Sequence, residues 1–117
     1  MPRSAPPLLA VVVTVTALAT SCGGGGAASD DPGIEARVAG ADLDVGAGVY
    51  GDICAACHGP DGQGGIGPGL VGVADRISVT ETHGIVTAGE GRMPAWGNRL
   101  EADEVDAVVA HVRQAFG

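Results

Sequence analysis

Lysine is absent from this 117-residue chain, sulfur is confined to three cysteines and two methionines, and the aromatic residues are Tyr50, Trp96 and Phe116 alone. Each shortage excludes something. Six arginines face 14 aspartates and glutamates, for a formal charge of −8. Such a surface repels nucleic acid and anionic headgroups at long range and favours a basic protein face as partner. No stretch alternates apolar and polar residues in the manner of a strand. The longest apolar run, Leu8 to Thr20, has 13 residues, short of the ~20 that a bilayer-spanning helix needs. With so few large side chains, a domain of this size has little core of its own. Small domains of this kind rely on a disulfide framework, a metal or a cofactor.

The run from Leu8 follows Arg3 and fits the apolar centre of a secretory signal, roughly 7–15 residues; residues 1–21 therefore read as an export signal. It ends in "LATSC", where small residues before Cys22 resemble a bacterial lipobox, whose cysteine takes a lipid and becomes the mature N-terminus. The competing reading is ordinary cleavage nearby, with Cys22 left as a spare thiol. A lipid on Cys22 would hold the protein at the extracytoplasmic membrane surface by acyl insertion. Residues 22–41, rich in glycine, alanine and aspartate, read as a flexible linker, with a reach on the order of 25 Å.

Residues 42–117 read as an all-α domain of about three to four helices joined by glycine-rich loops. Asp42 is a candidate N-cap, followed by Val45, Val49 and Ile53 at a spacing of four. Ser78 and Glu81 form a capping-box pattern, and Gly89 is a plausible stop. Val105, Val108, Val109, Val112 and Phe116 share one face of a last helix with acidic residues in its first turn.

Within the first of these helices stands "CAACHG", residues 54 to 59. A dithiol redox couple belongs in a βαβ setting, which this chain lacks. A disulfide between Cys54 and Cys57 would leave His58 without a role, and a zinc site wants further paired ligands. Covalent haem accounts for the spacing: two thiols one helical turn apart reach two vinyl groups of one porphyrin, and the next residue, His58, can ligate iron. Attachment outside the cytoplasm agrees with export. For the sixth position the chain offers Met93, in "GEGRMPAWG" between Gly91 and Pro94, whose thioether would stabilise ferrous iron. His83 and His111 compete for that role, although both fall within expected helices. Trp96 and Arg92 are candidates for the propionate edge; packing and a solvated charge are their alternatives.

From Asp42 to Gly117 the chain resembles the small class I c-type cytochromes, in particular single-haem bacterial domains of oxidase-subunit and dehydrogenase-associated type. The matching pieces are "GAGVYGDICAACHG", "GIGPGLVG", "GRMPAWG" and the terminal "RLEADEVDAVVAHVRQAF". The resemblance implies that the Pro68 carbonyl accepts a hydrogen bond from His58 Nδ1–H and that the last helix crosses the first. Two departures stand out. Glu101 occupies the position where the family caps its last helix with Ser or Thr, and His111 replaces an aromatic residue at the helix crossing, facing Gly46.

One covalent haem c on Cys54 and Cys57, held by His58 and Met93, implies one-electron transfer with no catalysis of its own. Its partners would be an oxidase, a dehydrogenase or a quinol-oxidising complex, besides the haem-attachment machinery. The alternatives are haem-based binding or peroxidase-like activity after Met93 leaves, and a fixed haem subunit of a larger redox enzyme.

Overall fold

The computed structural model describes residues 29–117; the expected export signal and Cys22 lie outside them. Among the described residues the regular structure is helical, with an isolated bridge between Glu90 and Met93. The all-α class expected above is therefore what the chain adopts.

Part of the expected linker is a helix. Pro32–Ala39 form α1. Asp31 caps it, its Oδ1 accepting from the N–H groups of Gly33 (2.8 Å) and Ile34 (3.3 Å). Pro32 sits in the first turn, where its missing N–H costs nothing, and Glu35 and Arg37 lie at the ends that the helix dipole favours for their charges. A helix of eight residues does not persist by propensity alone. Val38, spaced four from Ile34, is buried, and docking on the helices described next holds α1 in place. The linker reading thus fails for residues 32–39, because caps and one buried valine outweigh the small, polar composition.

Asp42 caps α2 (Leu43–Val49), accepting from the N–H of Asp44 at 2.9 Å and of Val45 at 3.3 Å. The helix runs on through a wide π turn, Tyr50–Cys54, into α3 (Ala55–His58), which ends at Gly59. Val49 and Tyr50 are buried and Ile53 partly so, but Val45 stays exposed. The helix meets α6 at Gly46, which turns Val45 off the contact.

A single turn, α4 (Val73–Arg76), precedes α5 (Val79–Ala88). Ser78 caps α5, its Oγ accepting from Glu81 N–H at 3.2 Å. The terminal helix α6 (Ala102–Phe116) buries Val105, Val108, Val109 and Val112. Glu101 does stand at its cap, and Glu104 reinforces it: the Glu104 carboxylate accepts from Glu101 N–H at 2.9 Å, as in a capping box. With α1 and α4 added, the described residues hold more helices than the three to four expected.

Helices α2 and α6 cross so closely that a Cβ on Gly46 would lie 2.1 Å from the Ala107 carbonyl oxygen and 2.9 Å from His111 Cβ. His111 does occupy the crossing. Its ring sits 5.4 Å from that of Tyr50 and 5.8 Å from that of Phe116, so a partly polar ring completes an aromatic cluster. The core next to it is built from Val49, Tyr50, Val73, Val108 and Val112.

Candidate functional site

Beside this core lies a cavity of about 630 Å³, within the ~300–1,000 Å³ usual for small-molecule and cofactor sites. Its apolar lining includes Ile53, Leu70, Val73, Ile85, Val108 and Val112. Cys54, Cys57, His58 and Met93 all border it, and so do Arg92 and Trp96. His83 and His111 do not: His83 lies against Asp106, and His111 belongs to the aromatic cluster.

The first wall comes from the end of the π turn and from α3. Cys54 is half-buried, Cys57 is exposed, and both thiols are free. Burial, with Cys57 adding, pushes the Cys54 thiol up to about 11, so it carries its proton at neutral pH. His58 is buried, its Nδ1 2.8 Å from the Pro68 carbonyl oxygen. A carbonyl can only accept, so Nδ1 bears the hydrogen, and in the neutral ring Nε2 is the nitrogen with the lone pair.

The loop that carries Pro68 is tied to α3 and to α4. Gly67 N–H donates to the Cys57 carbonyl at 2.8 Å and Gly64 N–H to that of His58 at 2.7 Å. Arg76 donates to the carbonyls of Val71 (2.6 Å) and Gly69 (3.2 Å). With Glu81 and Glu90, Arg76 also borders the cavity. Reading the sequence alone missed all three, since nothing in their spacing distinguishes them from surface charges.

The segment bearing Met93 hangs from the last turn of α5. Gly89 N–H donates to Ile85, Trp96 N–H to Val86 and Gly97 N–H to Thr87, at 2.8, 3.0 and 3.0 Å, while Glu90 and Met93 exchange backbone bonds at 3.1 and 2.9 Å. Gly89 has φ +77°, and a Cβ there would meet the Met93 carbonyl oxygen at 2.6 Å. Only glycine fits that turn without a shift of the loop.

Among the described residues no group of three or more His, Cys, Asp or Glu is placed to hold a metal ion by itself, so the Cys-His cluster has no zinc-type partners. The donor set and cavity do fit a c-type haem: two unpaired thiols one turn apart, an imidazole with a free Nε2, a thioether, and apolar walls.

Comparison with known proteins decides the family. A family model described as cytochrome c oxidase, cbb3-type, subunit III, matches residues 41–112. The chain belongs to the cytochrome c family. It is 37% identical over 81 residues to cytochrome c6 of Bryopsis maxima, covering 62% of this chain and 91% of that protein. It is 35% identical over 94 residues to the cbb3-type oxidase subunit CcoP of Cereibacter sphaeroides, covering 69% of this chain and 32% of that protein. The chain thus spans nearly the whole of a cytochrome c6 but about a third of a CcoP subunit. Among solved structures, cytochrome cL from Hyphomicrobium denitrificans superposes with a TM-score of 0.55 at 28% identity, over 72% of this chain and 51% of that one. Cytochromes c of this class bind haem c covalently through a Cys-x-x-Cys-His segment, and residues 54–58 of this cytochrome c domain supply one.

Proposed function

We propose that this cytochrome c domain is a one-electron carrier whose haem is bound by thioethers at Cys54 and Cys57 and whose iron is held between His58 Nε2 and Met93 sulfur. The haem supplies the one-electron couple. Cys54 and Cys57 would hold it as thioethers. The Pro68 carbonyl orients the His58 ring and strengthens it as a base, and the α5 loop presents Met93. With His58 and Met93 both holding the iron, no position on it would be left for a substrate. The observation that carries this reading is the meeting, on one apolar cavity, of an Nδ1-anchored histidine with the only methionine besides Met1.

The test is spectroscopic. Purified holoprotein is expected to show a mass equal to polypeptide plus one haem, and a ferric sulfur-to-iron charge-transfer band. Met93→Ala is expected to abolish that band and to lower the reduction potential, while the haem mass stays. A band that survives Met93→Ala would exclude this methionine as ligand.

In this reading the protein is exported, and a lipid on Cys22 tethers it at the extracytoplasmic membrane surface. With an acidic domain, its redox partner presents a basic face. A second arrangement has a specific observation behind it: several relatives are cbb3-type oxidase CcoP or FixP subunits, so the domain can serve as a fixed haem module beside an oxidase. Co-purification of a larger enzyme from gently solubilised membranes at moderate salt supports the fixed arrangement; its absence supports the shuttle.

A further inference from the structure

Helix α1 lies wholly upstream of the region matched by the family model, residues 41–112. It nevertheless meets the rest of the domain through a polar cluster centred on a buried carboxylate. Asp106 on α6 is nine-tenths buried. Arg37 on α1 donates from Nε to Asp106 Oδ2 at 3.1 Å. His83 Nε2 on α5 lies 3.1 Å from Asp106 Oδ1, close, but too poorly aligned to count as a hydrogen bond. His83 Nδ1 in turn lies 3.4 Å from Thr87 Oγ1, one turn on along α5. At the other end of α1, Asp31 N–H donates to Thr80 Oγ1 of α5 at 2.7 Å.

Thr87 belongs to the turn from which the Met93 segment hangs, since its carbonyl receives Gly97 N–H and its neighbour Val86 receives Trp96 N–H. Arg113 fixes the opposite end of α5, through Thr82 Oγ1 (3.0 Å) and the Ile77 carbonyl (2.8 Å). Toward the methionine loop, α5 meets the body of the domain where His83 lies beside the Asp106 carboxylate.

We propose that Arg37, Asp106 and His83 form a latch through which α1 and α6 hold α5, and with it the Met93 loop, in place. The three are positioning residues; none of them borders the haem cavity. The reasoning is elementary. A carboxylate buried this deeply needs polar neighbours to offset its lost hydration, and Asp106 has Arg37 on Oδ2 and the His83 ring beside Oδ1. Loss of either partner loosens the seam at which α1, α5 and α6 meet, and the loop built on α5 moves with that helix. This inference rests on Met93 as the sixth ligand.

The experiment measures binding of exogenous imidazole to the ferric holoprotein, which requires Met93 to leave iron, alongside amide hydrogen exchange at Gly89, Trp96 and Gly97. In Asp106→Asn, which keeps the shape and removes the charge, imidazole affinity is expected to rise about fivefold to tenfold, a coupling of ordinary size, and the three amides to exchange faster. Arg37→Gln, at a half-exposed side chain, is expected to shift both readouts in the same direction, and Arg37→Lys to keep them near wild type. Phe116→Leu, at a ring packed on Tyr50, is expected to lower global stability and to leave imidazole affinity within about twofold. If the wild type shows no sulfur-to-iron band, the ligand assignment fails and the latch falls with it. If that band is present and neither Asp106→Asn nor Arg37→Gln raises imidazole affinity, or if Phe116→Leu raises it equally, the latch is refuted while the carrier reading stands.

Discussion

Tyr50, the only tyrosine of the chain, joins the helix crossing to the haem-binding turn. Its ring packs 5.0 Å from Phe116, and its hydroxyl donates to the Gly59 carbonyl, just past His58, at 2.6 Å. Burial pushes its phenol above the ordinary value, with Cys54 and Asp61 adding in the same direction. A thioether sulfur carries no charge, so in the loaded protein burial and Asp61 remain. The folded state then keeps a proton at a pH where the unfolded chain has released it. The stability this contributes is complete below the ordinary phenol value of about 10 and is lost as pH rises through the higher folded value. Phenolate absorbance of the reduced holoprotein should therefore titrate above pH ~10, and a midpoint at or below that would contradict the burial. Tyr50→Phe should flatten the alkaline loss of stability. At neutral pH it should cost about 1 kcal/mol in denaturant unfolding, the worth of one intramolecular hydrogen bond.

Helix ends in this chain are set by side chains, and that decided what could be read in advance. Asp42, Ser78 and Gly89 sit where their residue types point, and α6 was legible from its valine spacing and its acidic first turn. Glu101 looked like a weak start, but Glu104 supplies the return bond to its N–H. Glu104→Ala should cost about 1 kcal/mol, the usual worth of a cap, and fray the first turn of α6, as seen in unfolding midpoints and amide exchange at Val105. An unchanged midpoint would mean that the valine face alone holds that end. The caps of α1 were equally present in "DDPGIEARV", yet one valine and one isoleucine among glycines and alanines gave too little periodicity to separate a docked helix from a tether. The Cys-His cluster and the methionine-bearing loop were recognisable because each is local in sequence, and the Pro68 contact followed from the family resemblance. Arg76 at the cavity and the meeting of Arg37, His83 and Asp106 were not, because they join residues brought together by folding. The π turn at Tyr50–Cys54 has no residue signature to betray it.

Over the whole molecule, charge and apolar exposure divide the surface. All 14 acidic residues and five of the six arginines lie in the described part, while Ile66 and Val71 stand 82% and 62% exposed. Ile66 and the exposed Cys57 share the border of the cavity, so the attachment side of the haem site opens beside apolar side chains within an acidic field. Such a field accelerates encounter with a basic partner and is screened over roughly 8–10 Å at physiological salt. Apolar contact acts afterwards, on how long the pair stays together, because short-range packing governs dissociation more than encounter. Electron exchange with a basic redox protein, followed by stopped flow, should slow about tenfold or more as salt rises from low to physiological. Ile66→Ser should leave that salt slope unchanged and shorten the lifetime of the complex. A rate indifferent to salt would show that the acidic surface does not steer docking; an Ile66→Ser variant with an altered slope and an unchanged lifetime would place the contact elsewhere on the domain.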